Sequence, residues 1–139
     1  MEQLTRLDNW QPRLAAAIND RRLAPYVYGR TDCACFVQAS IAAVTGVTLM
    51  DGIEKPMGWI GAAKFLIAHG WDDVEAMIVD IIGPPMASPS LSRPGDIISF
   101  VSIGEPHLGV RVGDVALSPA DTGLEVITAQ RWVRAWKIG

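Results

Sequence analysis

Apolar positions in the first half of the chain recur with a helical period, whereas those in the second half fall in short, β-branched runs. In DNWQPRLAAAINDRR, Trp10, Leu14 and Ile18 share a face, Asp8 or Asn9 can cap the start, and Pro12 sits in the first turn, where its missing donor costs little. A helix is expected from about Trp10 to Arg22, and Pro25 and Gly29 then turn the chain. The next segment, DCACFVQASIAAV, is apolar nearly all round, with Thr31 or Asp32 as its N-cap and Gly46 in the C′ place. Such a helix belongs in the centre of a fold. A third helix is expected from about Gly58 to His69, ended by Gly70. A fourth runs through DDVEAMIVDI, started by Asp72 and Asp73 and stopped by Gly83-Pro84-Pro85.

After the Pro/Ser loop MASPSLSRPGD the period changes. DIISFVSI, HLGVRV, VALS, LEVIT and VRAWKI are short stretches separated by Gly, Pro and Asp, and they predict four or five strands in an antiparallel sheet. Helices first and strands second give an α+β order, with the apolar helix packed on one face of the sheet.

Composition narrows the classes. A chain of 139 residues that is 50% hydrophobic suits one domain over residues 1–139. A formal charge of −3, with basic residues grouped only at Arg21-Arg22 and in the scattered Arg131, Arg134 and Lys137 set, argues against a nucleic-acid surface. The longest apolar runs, such as DIISFV, fall short of the ~20 residues of a membrane span. MEQLTRLDNWQPR carries acids and has no apolar core, so neither a signal peptide nor integral membrane association is expected. Two cysteines do not make a disulfide scaffold, and Cys33 and Cys35 on one helix point about 200° apart. They read as two separate reduced thiols.

Candidate chemistry centres on Cys33, placed just after the cap, where free backbone N–H groups and the positive helix end favour a thiolate. The competing reading is a small core hydrophobe in the first turn. Cys35, between Ala34 and Phe36, reads as core. A cysteine nucleophile needs a base, and the chain has two histidines. His69 falls in a last helical turn, while His107 opens the strand HLGVRV and could meet a helix N-terminus packed on the sheet. The five tryptophans read as core or half-buried lids, with a partner interface as the alternative.

PYVYGRTDCACFV, SRPGDIISF and HLGVRVG occur in the order seen in the NlpC-type papain-like cysteine peptidases, and the chain from Pro25 onward resembles that family. The likeness extends to short members encoded among bacteriophage tail genes, which also end in a strand similar to RAWKIG. The resemblance implies an NlpC-like papain fold with Cys33 as nucleophile, His107 as general base and Tyr26 near the oxyanion. It implies no metal or organic cofactor. The Arg93-Pro94-Gly95-Asp96 turn is structural. Two departures stand out. Ala34-Cys35 replaces the family's Ser-Gly, and the third, histidine-orienting residue is closest to Ser118, with Asp114 and Asp121 less well placed.

The expected reaction is acyl transfer from a peptidoglycan stem peptide, with the Cys33 thiolate attacking an amide and His107 passing its proton to the leaving amine. On this view the chain is a cell-wall peptidase of a phage tail tip, made in the bacterial host cytoplasm. The alternative is a catalytically weak or inactive tail protein that uses the same fold to dock to hub or tape-measure proteins. An amidase or acyltransferase on the same scaffold is a third reading.

Overall fold

In the computed structural model, residues 4–26, 32–49 and 64–139 are described. Helix α1 is Trp10–Arg21 and α2 is Cys33–Thr45. The Asp32 side chain accepts the Cys35 N–H, and Gly46 closes α2 in the left-handed region at φ 76°. These are the local signals that bound a helix from sequence. Asn9 occupies the N-cap of α1 without a side-chain bond. Residues 64–68 are helical and His69 and Gly70 form a turn after them; residues 58–63 of the helix expected over Gly58–His69, like the Gly29 turn and the Thr31 cap, lie outside the described residues. Helix α3 is Val74–Ile82, capped by the Asp73 side chain on the Ala76 N–H. No helix among the described residues is long and apolar enough to cross a membrane.

The second half forms five strands: β1 Ile97–Ser102, β2 Glu105–Val112, β3 Val115–Ala120, β4 Gly123–Thr128 and β5 Trp132–Trp136. They make one antiparallel sheet in the order β4-β3-β2-β1-β5. The molecule is therefore α+β, with helices before a five-stranded sheet. His107 sits two residues inside β2 rather than at its start, because the strand begins at Glu105.

Alternation along the strands sorts the core into two layers. Ile97, Leu108, Val110 and Trp136 pack with Phe36, Val37, Ile41 and Val44 of α2 and Met77 and Ile78 of α3. Their strand neighbours Ile98, Phe100, Ala116, Ile127 and Ala135 form a second, smaller cluster with Met86 and Trp132. One face of the sheet is thus roofed by helices. The other is covered by the segment around Met86, whose N–H donates to the Ala135 carbonyl at 2.8 Å, and by the Trp132 ring.

A polar clasp ties the ends of the fold together. Asp96, 1% exposed, accepts from Arg6 Nη2 at 3.0 Å, the Ile138 N–H at 2.9 Å and the Arg93 N–H at 3.0 Å. Arg6 also donates to the Ile138 carbonyl at 2.9 Å and lies 4.4 Å over the Trp10 ring. Gly95 takes φ 94°, and a Cβ there would come within 2.8 Å of Arg6 Nη1. The Arg-Pro-Gly-Asp turn leaves room for this arginine, and its aspartate orders both the start of β1 and the chain after β5.

Candidate functional site

Cys33 opens α2, and its side chain is 5% exposed, within the helix-side cluster that holds Leu108. Burial pushes the thiol from an ordinary 9.0 up to about 11; the nearby Asp32 carboxylate raises it further, while backbone N–H groups of Leu108, Ala34 and Cys33 pull the other way. Removal from water wins over the helix start. At neutral pH Cys33 is a thiol.

The approach to Leu108 follows from a gap in the ladder. Strands β2 and β3 pair only over Val110↔Leu117, Arg111↔Ala116 and Val112↔Val115. Beyond Gly109 the pairing stops; a Cβ at Gly109 would come within 2.7 Å of the Leu117 carbonyl oxygen. The main-chain groups of Leu108 are left to side chains. Ser118 Oγ donates to the Leu108 carbonyl at 2.8 Å, and the Cys33 sulfur faces its N–H. A serine and a cysteine thus occupy polar positions that a continuous ladder would have filled.

His107 lies elsewhere. It pairs with Phe100 across β1 and β2, and the two rings stack with centroids 5.7 Å apart at 25°. Phe100 belongs to the second cluster and Leu108 to the first, so the strand period places the His107 ring on the sheet face opposite Cys33. The Arg131 guanidinium lies 5.2 Å over the Phe100 ring as well. Among the described residues no hydrogen bond joins His107 to the thiol, and the Ser118 hydroxyl donates to the Leu108 carbonyl, not to an imidazole. Cys33, His107 and Ser118 are thus each bonded or stacked to other partners among the described residues. Each residue has a packing role instead.

Tyr26 is half-buried, and its N–H donates to the Asp121 carbonyl at 3.3 Å, tying the segment before α2 to the β3–β4 turn. His69 is exposed, stacked on Trp71 at 4.6 Å, with Nδ1 2.8 Å from the Phe65 carbonyl. Cys35 is buried as a core residue. Among the described residues no group of His, Cys, Asp and Glu could hold a metal ion.

A signal in the sequence does anticipate the placement of His107. In HLGVRV the apolar residues Leu108, Val110 and Val112 alternate with His107, Gly109 and Arg111. The apolar set turns to the helices, which puts the histidine on the other side. That other face carries features the motif reading passed over. Arg111 Nε donates to the Gly113 carbonyl at 2.9 Å and Nη1 to Ser92, while the guanidinium lies 5.2 Å over Trp132. Beside them opens a cleft of about 320 Å³, lined by Pro89, Asp114 and Ala129 among others.

A family model described as a domain of unknown function, DUF6950, matches residues 5–138, and the chain belongs to that family. No curated protein matches it.

Proposed function

Proceeding from membership of DUF6950, we propose that this chain is a non-catalytic docking module on a papain-like scaffold of the NlpC type, serving as a structural component of a phage tail tip. One observation carries the reading. The period of β2 turns His107 away from α2, while Cys33 is sealed in the helix-side core with its thiol pushed up to about 11. A nucleophile needs a thiolate and a base within hydrogen-bond reach, and this arrangement supplies neither. The scaffold keeps the thiol because it fits the core and faces the Leu108 N–H. In this role the partners are hub or tape-measure proteins of the tail.

The peptidase reading draws on a different observation. The N–H groups of Cys33, Ala34 and Leu108 around the sulfur are of the kind that stabilise a thiolate and an oxyanion. Peptidoglycan sacculi separate the two. On the docking reading, wild type and Cys33→Ala release equal background levels of stem peptide, and folded Cys33 resists iodoacetamide at neutral pH. Release by wild type that Cys33→Ala abolishes, with the variant folded, would overturn it in favour of the peptidase.

A further inference from the structure

The residue least suited to its position is Ile103. It sits between Ser102 and Glu105 in the two-residue turn joining β1 and β2, with φ 52°, and Gly104 follows at φ 74°. Two positive φ values make this a type I′ turn, which favours Asn-Gly because asparagine tolerates the left-handed region. A β-branched side chain there is a conformational outlier. Ile103 is also 98% exposed, next to Val101 at 53%. Neither the backbone nor the solvent favours isoleucine at this site, and none of the described residues covers it. A contact made from outside the chain would offset both.

The chain itself offers a receptor. The cleft of about 320 Å³ is bounded by Trp132, Pro89 and Ala129, with Arg111 and Asp114 beside them. It lies by the β2–β3 turn, at the opposite end of β2 from Ile103. Arg111 and Asp114 lie at the far end of β2 from the turn, Trp132 pairs opposite Phe100, and the β1–β2 pairing up to Ser102↔Glu105 keeps Ile103 from folding back onto them. No chain can fill its own cleft with its own turn. Charge bears on the fit: among the described residues Glu105, next to the knob, has no ion-pair partner, and no acceptor meets Nη2 of Arg111 beyond its Nε and Nη1 bonds to Gly113 and Ser92.

We propose that copies of this chain associate head to tail, with Ile103 of one copy seated against Trp132, Pro89 and Ala129 of the next and Glu105 paired with Arg111. Such a contact is heterologous, since different patches meet, and it repeats until a ring closes or a filament grows. It stands whether or not Cys33 is catalytic.

Sedimentation velocity over micromolar to sub-millimolar loading tests it. Wild type should show mass rising with concentration. Ile103→Asn, which removes the knob, and Ala129→Glu, which fills the cleft, should each weaken association about ten-fold or more. Their mixture is decisive: one keeps the cleft and the other the knob, so the pair should form a one-to-one dimer that neither forms alone. Because asparagine suits the turn, Ile103→Asn should also melt at or above the wild-type temperature, which separates lost contact from lost fold. A wild type that stays monomeric throughout overturns the proposal. So does a mixture that stays monomeric, or variants that associate like wild type.

Discussion

The two faces of the sheet differ in what polar side chains are allowed to do. Around the first turn of α2 and the ends of the sheet, polar groups close the fold: Cys33 and, from the gap between β2 and β3, Ser118 serve the main-chain groups of Leu108, and Asp96 gathers three donors. On the other face, His107, Arg131 and Arg111 lie half-buried or exposed over Phe100 and Trp132, with donors and rings still reachable from solvent. A residue's type therefore says little about its role until its face is known. The same thiol and imidazole that would make a reactive pair on one side of a sheet are a packing unit and a surface ring when divided between two.

The largest contrast should appear in the cores. Phe36 is fully buried between α2 and the sheet, so Phe36→Ala should cost about 3–5 kcal/mol in urea unfolding. Trp132 is half-buried on the opposite face, held by one bond from Nε1 to the Ile127 carbonyl at 3.1 Å. Its replacement by alanine should cost about 1–2 kcal/mol. Equal losses would mean that the second face contributes as much to stability as the helix-covered one.

How much of this was legible beforehand depends on the range of the signal. Asp32 and Gly46 bound α2 through contacts a few residues apart, and the five strands follow from β-branched runs between turn residues; both kinds of signal are local. The clasp was half legible. Arg-Pro-Gly-Asp reads as a turn, but nothing near Arg6 indicates that it crosses to Asp96 and Ile138, because that pairing exists only once the first and last segments meet. The faces of the site residues were hidden in motif order for a related reason. Motif order placed Cys33 and His107 on the expected elements, yet order along the chain does not fix which face a strand residue takes. The alternation in HLGVRV does, and it outweighs the motif.

The pH dependence of stability gives a readout for the helix side alone. Cys33 holds its proton more tightly when folded than when unfolded, since burial raises the thiol from 9.0 to about 11. Its contribution to stability is complete below pH 9 and falls as pH rises toward 11, where the unfolded chain has lost a proton that the folded one keeps. Wild type should lose on the order of 2 kcal/mol over that window relative to Cys33→Ala, as measured by paired urea titrations. Parallel curves would mean that the sulfur reaches water. Ser118→Ala comes next, at about 1 kcal/mol, for a buried hydroxyl whose removal strips the Leu108 carbonyl of its donor.

His107→Ala should have the smallest effect, and it bears most directly on the division between the faces. The ring stacks on Phe100 but is only half-buried, so its loss should cost about 0.5–1 kcal/mol. It should leave the iodoacetamide rate and the pH at which Cys33 becomes reactive unchanged. A histidine hydrogen-bonded to the thiol would behave otherwise: it would hold an ion pair, speed alkylation at neutral pH, and lose both on mutation. Labelling wild type and His107→Ala across pH 6 to 11, with the mass of the Cys33 peptide as readout, therefore asks whether the sheet separates the two groups. Superimposable rates place the histidine with Arg131 and Phe100 on the open face, where its effect on binding can be measured apart from any effect on the thiol.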